Sequence, residues 1–270
     1  MEIRFAIRGG ALAVGVFILV AFLYAQKAFR TYTPIEGADS EANLPPDYQT
    51  PAELVLGRLM YPSGRRGFGG ASWTVDYPRG DRTFAVAIRR LTRVDVRSVE
   101  QPVNPDDGDD IFNWPYIHVG MPSTWNLSRE QGAKIRDYLD RGGFMTFDSF
   151  FGDVEWEGFE AGLKLIYSDR VVEEIPDEDP IFNTVYDLQK RYQVGNYRSL
   201  IGRGVPYRGN GSEPHFRTIR DEKQRATVAI NFNNDLGDSW QLADNPHYPV
   251  KYSDLGIRLG VNYVTYALSH

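Results

Sequence analysis

The sequence predicts an α/β protein in which helices cover both faces of a mostly parallel β-sheet. Segments with strand character alternate with segments of helical periodicity along most of the chain, and this order produces parallel sheets through helical crossovers. The chain has 270 residues, of which 42% are hydrophobic, and this is enough to fill the core of one large domain. We find no internal repeat.

The first 30 residues are predicted to be a membrane anchor. No charged residue occurs between Arg8 and Lys27, and residues 9–25 are almost wholly apolar. A run of roughly 17 residues is the minimum for a membrane-spanning helix. A cleaved secretory signal is the alternative, but cleavage after Ala25 would put the large Leu23 at the −3 position. We therefore expect an uncleaved single-pass anchor in the inner membrane, with the main domain on the extracytoplasmic side.

The composition of the chain divides it into three predicted regions. Residues 1–30 are the anchor or signal segment, and residues 31–52 are a linker. Four prolines and several acidic residues without periodicity indicate that this linker is an extended, semi-rigid spacer. Residues 53–270 form the α/β domain.

The first half of the domain alternates strands with one helix. Residues 53–61 (ELVLGRLMY) are predicted as the first strand, and a glycine-rich loop at 63–70 follows. Residues 81–91 carry apolar side chains on one helical face, and Asp81 is a suitable N-cap for this helix. The next strands, identified by their apolar and β-branched residues, are predicted at 94–99 and 116–120.

The second half of the domain contains the best-defined helix, at residues 128–141. Ser128 and Gln131 form a capping box at its start, and Gly142 and Gly143 provide a left-handed stop at its end. The remaining elements are predicted as strands at 144–148, 170–175 and 227–232, and as helices at 156–167 and 255–268.

Composition and motifs argue against several functions. The formal net charge of −6 disfavours general binding to nucleic acid, which needs a basic face. The chain has no cysteine, which excludes a cysteine nucleophile and a thiolate metal site. Its four histidines lack metal-binding spacing. Ser123 follows a strand but lacks the flanking glycines of a serine-hydrolase elbow. These features favour a non-enzymatic role without a cofactor or metal.

Ligands of parallel α/β sheets bind beyond the carboxyl ends of the strands. Asp148 ends a buried strand there, where a carboxylate is costly unless it is paired or liganded, or unless it caps the following helix or turn. Acids and aromatic residues in 148–156, together with the polar loop 231–240, suit recognition of sugars or cations, or general acid/base chemistry. The predicted ligand-binding residues are Tyr61, Trp73, Asp76, Asp148, Glu155, Trp156, Asn231, Asp235, Asp238 and Trp240.

Six stretches of the sequence together resemble the bacterial family known as domain of unknown function 4159 (DUF4159). They are RLMYPSG (58–64), ASWTVDYPRGDRTF (71–84), LDRGGFMTFDSFFGDVEWEGFE (139–160), DPIFNTVYDL (179–188), NFNNDLGDSW (231–240) and GVNYVTYAL (260–268). The resemblance covers essentially all of residues 53–270, and it is far more specific than any single motif above.

This resemblance implies a relative of the class I glutamine amidotransferase-like fold, a flavodoxin-like three-layer sandwich. Members of the family often lie in gene clusters with MoxR-type ATPases and von Willebrand-type proteins, and many begin with a signal or anchor. The amidotransferases carry a cysteine in the sharp turn after a central strand. The corresponding residues here are Asp148, Ser149 and Phe150, so amidase chemistry is not expected.

The sequence leaves three functions open. The first is a membrane-tethered, non-catalytic module that binds a ligand or assembles with partners of a MoxR-associated system. The second is a hydrolase that uses a carboxylate cluster of Asp148, Glu155 and Asp235, with or without a metal ion. The third is a purely structural subunit of a membrane complex.

Overall fold

The structure is a computed structural model that describes residues 29–63 and 72–270. The predicted membrane segment, residues 9–25, and most of the glycine-rich loop lie outside the described residues. Within the described ranges, no helix combines the length and the apolar character that crossing a membrane requires. Residues Tyr32–His270 form one compact unit.

A seven-stranded sheet runs through the centre of this unit. Its strands are β1 (Leu56–Leu59), β2 (Gln101–Val103), β3 (Tyr116–Gly120), β4 (Phe144–Asp148), β5 (Glu173–Glu174), β6 (His215–Thr218) and β7 (Val228–Phe232). They lie in the order β2-β1-β3-β4-β7-β6-β5. The pairs from β2 to β7 are parallel, whereas β6 is antiparallel to both of its neighbours. The prediction of a mostly parallel sheet is confirmed.

Six α-helices accompany the sheet in the part of the chain that the structure describes. They are α1 (Arg79–Leu91), α2 (Arg129–Asp140), α3 (Gly152–Ile166), α4 (Tyr197–Arg203), α5 (Leu236–Gln241) and α6 (Val250–Ser269). Adjacent residues of β3 point to opposite faces of the sheet. Tyr116 joins a buried cluster with Phe84 of α1 and Trp240 of α5, whereas Ile117 joins a second cluster with Ile135 of α2. Helices therefore cover both faces.

The central strands and the capped helix are where the sequence predicts them. The strands predicted at 116–120 and 144–148 are β3 and β4, with identical bounds. At the start of α2, Gln131 N donates to Ser128 Oγ (3.2 Å), and Ser128 N donates to Gln131 Oε1 (3.0 Å). The helix predicted at 156–167 starts earlier, at Gly152, because the turn after β4 leads into it directly.

Two local predictions in the first half of the domain are wrong. Residues 94–99 contribute only one isolated bridge to the sheet, and β2 lies a few residues later. The guanidinium of Arg97 there donates to backbone carbonyls two and three residues ahead, which bends the chain. Asp81 is not an N-cap but lies in the first turn of α1, and it forms a buried ion pair of 2.8 Å with Arg58 of β1.

The segment before β1, residues 32–52, packs on the domain rather than standing clear of it as an extended spacer. The side chain of Gln241 in α5 donates to Ser40 Oγ (2.9 Å). The backbone N–H of Asp76 donates to Glu36 Oε2 (3.0 Å). This packing brings Glu36 to the edge of the sheet where β1, β3, β4 and β7 end.

Candidate functional site

Four left-handed residues mark the carboxyl edge of the parallel strands. Five non-glycine residues among those described have a positive φ, and four of them belong to this edge. They are Asp76 (58°), Met121 (49°), Ser149 (57°) and Asn233 (61°). A left-handed conformation costs a non-glycine residue on the order of 1 kcal/mol or more, and such strain tends to cluster at binding sites. The strained turns therefore point to the edge at which this topology places ligands.

Three of these residues, Asp76, Met121 and Ser149, line a pocket of about 230 Å³. Its acidic lining residues are Glu36, Asp76, Glu155, Asp235 and Asp238, its arginines are Arg198 and Arg208, and its other lining residues are Ile35, Val75, Met121, Ser149 and Asn196. Five carboxylates thus face two guanidinium groups. The described lining includes no aromatic side chain, so it offers no surface on which a sugar ring could stack.

The two acids at the start of α5 are held by hydrogen bonds. Asp235 caps this helix by accepting from Asp238 N (3.1 Å). The side-chain amide of Asn196 donates to both carboxylates, at 2.9 Å to Asp235 and 3.1 Å to Asp238. Tyr197 N also donates to Asp238 (2.7 Å). Both acids are buried, and these contacts fix the directions of their carboxylates.

Asp76 differs from these two acids because its carboxylate has no partner. Its side chain is 1% exposed, and neither carboxylate oxygen accepts a hydrogen bond from any described residue. Its backbone is held, since Gly80 N donates to Asp76 O (2.7 Å) and Asp76 N donates to Glu36. Gly237 leaves room for the carboxylate, because a Cβ at that position would lie 2.1 Å from Asp76 Oδ2.

Burial and mutual repulsion raise the pKa values of these three carboxyl groups. Desolvation is the largest cause in each case. The carboxylates of Glu36 and Asp238 add to the rise in the pKa of Asp76. The pKa of Asp235 rises to about 6, because the repulsion from Asp148 adds to desolvation and outweighs the attraction of Arg208. Positive charge near the cluster therefore compensates these carboxyl groups only in part.

Asp148 lies directly beneath the pocket, at the end of β4, and is fully buried. Its Oδ2 accepts from Gly237 N (2.7 Å), and its Oδ1 lies 3.2 Å from His118 Nε2. The other ring nitrogen of His118 is hydrogen-bonded to Thr146 Oγ1 (2.9 Å). Asp148 thus links the first turn of α5 to a polar row on β3 and β4, and it contributes negative charge to the pocket without lining it.

Arg208 closes the pocket on the side of α3. Its guanidinium donates to both oxygens of Glu155 (3.2 and 2.9 Å) and to Ser149 O (2.8 Å). It also lies over the ring of Phe151, 4.6 Å from the centroid. Arg208 forms its closest ion pair with Glu155, and its guanidinium comes no closer than 4.0 Å to the carboxylate of Asp235. This arginine therefore compensates the central carboxylates only in part.

The family of the chain is shown by sequence comparison. The model for the family described as "Domain of unknown function (DUF4159)" matches residues 56–268. This protein belongs to the DUF4159 family. No functionally curated protein matches the chain. The matched region contains the whole sheet and all of the lining residues of the pocket except Ile35 and Glu36, which precede it.

Four of the ten predicted site residues of this DUF4159 domain, Asp76, Glu155, Asp235 and Asp238, line the pocket, and Asp148 lies beneath it. The other five support the structure around it. Tyr61 donates to the backbone carbonyl at the end of β3 (2.7 Å), and Trp73 packs 5.3 Å from the ring of Tyr77. Asn231 donates to a β4 carbonyl (3.2 Å), and Trp240 stacks on Phe84. Trp156 packs in an aromatic cluster with Phe150, Phe159 and Phe232.

Eight lining residues of the pocket were not predicted from the sequence, and five of them are polar or charged. Glu36 belongs to the segment predicted as a spacer, and no local pattern distinguishes it from the other acids there. Ser149 follows Asp148 in the turn that was singled out, but its left-handed backbone shows only in the structure. Asn196 is the N-cap of α4, Arg198 lies within this helix and Arg208 follows it, and the helix is too short for a periodic signal.

Proposed function

We propose that this DUF4159 protein is a membrane-tethered, non-catalytic module that binds a small cationic ligand in the carboxylate pocket. The observation that carries this proposal is Asp76, whose buried carboxylate has no partner among the described residues. An unpaired buried charge is costly, and proteins usually compensate it with a counter-charge. The nearby acids increase this cost, and a bound cation would remove it.

The lining of the pocket favours a cation over a sugar. The three tryptophans that the sequence predicts there, Trp73, Trp156 and Trp240, pack against other aromatic rings instead of facing the pocket. Ile35, Val75 and Met121 supply a small apolar wall that suits the carbon atoms of an organic cation. A volume of about 230 Å³ accommodates a ligand of this size or a hydrated ion.

We further propose that the domain has a class I glutamine amidotransferase-like, flavodoxin-like three-layer fold. The order β2-β1-β3-β4-β7 of its parallel strands supports this assignment, because flavodoxin-like sheets have the order 2-1-3-4-5. The left-handed Ser149 between β4 and α3 also supports it, since the amidotransferases carry their cysteine in the turn after a central strand. Because this chain has no cysteine, it would have kept the turn of the amidotransferase site and lost the amidase chemistry.

The proposed location and partners of the protein are inferred from the sequence. The uncharged run at residues 9–25 supports a single-pass anchor in the inner membrane, with the domain on the extracytoplasmic side. The resemblance to DUF4159 proteins encoded beside MoxR-type ATPases supports assembly with components of such a system. The linker at residues 31–52 would join the anchor to the domain 53–270 and also supply Glu36 to the pocket.

A hydrolase is the second candidate, and one contact favours it. Ser149 Oγ donates to Asp235 Oδ2 (3.0 Å), and burial raises the pKa of this aspartate to about 6, a value suitable for a general base near neutral pH. Asp148 and Glu155 would then orient the neighbouring groups. Against this candidate, Ser149 is only 1% exposed, so a substrate would reach its hydroxyl only after a rearrangement.

A binding experiment with a panel of cations tests the proposed function. The full-length chain is purified in a mild detergent, treated with a chelator and titrated with L-arginine, spermidine and calcium chloride by isothermal titration calorimetry. We expect saturable binding of at least one of these cations and at least a tenfold weaker affinity in Asp76→Asn. The proposal is contradicted if all three produce only the heat of an equal ionic strength of potassium chloride.

A further inference from the structure

We propose that Asp76, Asp235 and Asp238 form a binding site for a hard divalent cation, with calcium the best fit. This inference rests on the proposed function and names its ligand as a metal ion. One carboxylate oxygen from each of the three residues lies within 4.8 Å of the other two, and all three residues are buried. Asp76 is contributed by the β1–α1 connection, whereas the other two acids belong to the start of α5.

The independent observation behind this site is the side chain of Asp76. Asp235 and Asp238 each have a role in the fold, because they accept hydrogen bonds from the start of α5, from Asn196 and from Tyr197. Asp76 has no comparable role, since both of its oxygens are buried without a partner in the described chain. Its carboxylate is nevertheless directed at the other two. A buried carboxylate without a protein partner is expected where the side chain binds a cation.

The geometry of the three oxygens suits calcium. An ion at the centre of three atoms that are at most 4.8 Å apart lies within roughly 2.8 Å of each atom, which approaches the Ca–O distance of about 2.3–2.6 Å. Magnesium demands near-ideal octahedral geometry and gives up its water reluctantly, so three fixed protein carboxylates suit the more flexible coordination of calcium better. The open pocket beside them leaves room for water ligands to complete the coordination.

The chemistry of the donors also selects a hard cation. All three ligands are carboxylate oxygens, which favour calcium, magnesium or manganese over softer metals that prefer nitrogen and sulfur. Of the neighbouring arginines, Arg208 is paired with Glu155 (2.9 Å), Arg198 with Glu36 (3.3 Å) and Arg58 with Asp81 (2.8 Å). The charge of Arg58 attracts the carboxylate of Asp76, but no arginine donates a hydrogen bond to it. Glu36 and Asp148 add negative charge around the site.

Calorimetry on the full-length, chelator-treated chain tests this assignment. Calcium chloride should bind with a Kd below about 1 mM, the range of weak protein calcium sites, and more tightly than magnesium chloride at the same ionic strength. Asp76→Asn and Asp238→Asn should each weaken calcium binding at least tenfold. Asp244→Asn is the matched control: its carboxylate is 76% exposed and pairs with Arg79 outside the pocket, so this variant should keep the wild-type Kd.

The outcomes separate this inference from the proposed function. If arginine or spermidine binds through Asp76 and calcium does not bind, the metal assignment is overturned and the cationic pocket stands. If none of the cations binds, both proposals are overturned. Calcium binding that Asp76→Asn and Asp238→Asn leave unchanged would place the ion elsewhere and also overturn the assignment. Circular dichroism of each variant confirms that a lost affinity does not come from a lost fold.

Discussion

The hydroxyl of Ser149 donates a 3.0 Å hydrogen bond to Oδ2 of Asp235, and so joins the turn after β4 to the turn after β7. The amide of Asn196 reaches the same oxygen at 2.9 Å. Asp235 is thus fixed by neutral donors that leave its negative charge in place, while Asp76 beside it has no donor at all in the described chain. Fixed carboxylates that are only partly compensated are a preorganised arrangement for binding positive charge.

Asp76→Asn should stabilise the cation-free protein. The asparagine keeps the shape of the side chain and removes a buried charge that neighbouring acids repel. We expect the melting temperature to rise by about 2–4 °C, which corresponds to about 1 kcal/mol for a domain of this size. Thermal unfolding after chelator treatment measures the change. The control Asp244→Asn should leave the midpoint nearly unaltered, and a destabilised Asp76→Asn would show that the carboxylate supports the fold.

The stability of the cation-free protein should fall as the pH rises from about 4 to about 7. Burial and repulsion from Asp148 raise the pKa of Asp235 from 3.8 to about 6, while Arg208 opposes the rise, and the pKa of Asp238 is raised as well. The folded state then binds more protons than the unfolded state in this window, so stability is lost as the pH passes through the folded pKa.

Urea unfolding at pH 5 and pH 7.5 tests this dependence. Asp238→Asn keeps an oxygen that can accept from Tyr197 N and removes one of the titrating groups. Its stability should therefore change less with pH than that of the wild type. An equal slope in both proteins would argue against the carboxylate cluster as the origin of the effect.

Gly237→Ala should disturb the cation site directly. The new Cβ would lie 2.1 Å from Asp76 Oδ2, so the carboxylate must move away from its present position. We expect a loss of stability of about 1–3 kcal/mol, as for other overpacked positions, and weaker calcium binding. Gly202→Ala is the control in α4, because its Cβ would meet no atom within 4 Å and should be neutral or slightly stabilising. Unchanged calcium affinity in Gly237→Ala would contradict the assignment.

Fluorophosphonate labelling distinguishes a binding module from a hydrolase. The chain has no cysteine, and Ser149 is 1% exposed, so we expect neither glutamine turnover nor labelling of Ser149 or Ser123. Mass spectrometry of the treated protein checks this expectation, with Ser149→Ala as the control for site assignment. A covalent adduct on Ser149 that disappears in Asp235→Asn would favour the hydrolase instead.

Fractionation tests the anchor. The uncharged run at residues 9–25 and the poor cleavage position after Ala25 predict that the full-length chain stays in the membrane after a carbonate wash. The measurement is an immunoblot of washed membranes and supernatant, with the N-terminus determined by mass spectrometry. A soluble product that begins near residue 26 would contradict the anchor and indicate a secreted protein.

The sequence predicted the central sheet because its strands carry strong local signals. β3 and β4 are mostly apolar runs next to glycines, and the Ser128–Gln131 capping box marks the start of α2. The antiparallel β6, by contrast, has only four residues. Helices α4 and α5 have seven and six residues, which is too short to show the helical period of apolar residues. The displaced β2 follows local hydrogen bonds from the buried guanidinium of Arg97 to the carbonyls of Val99 and Glu100, which a count of β-branched residues does not reveal.

The candidate site was predictable where it follows from topology. Asp148 and Asp235 end or follow parallel strands, and the structure joins these two turns through Ser149, as expected for strands that end at one edge. The tryptophans were misplaced, because this residue type is also largely buried in cores, where Trp240 stacks on Phe84. Glu36 and Arg208 reach the pocket from distant parts of the chain, and only the packing of those segments brings them there.

Anomalous diffraction from crystals soaked in manganese chloride tests the central claim most directly. Manganese prefers the same oxygen ligands as calcium and magnesium, and its anomalous signal locates it without ambiguity. We predict one strong peak between the carboxylates of Asp76, Asp235 and Asp238, lost in crystals of Asp76→Asn. A map without a peak at these carboxylates, with the three side chains in the positions described here, would contradict the account.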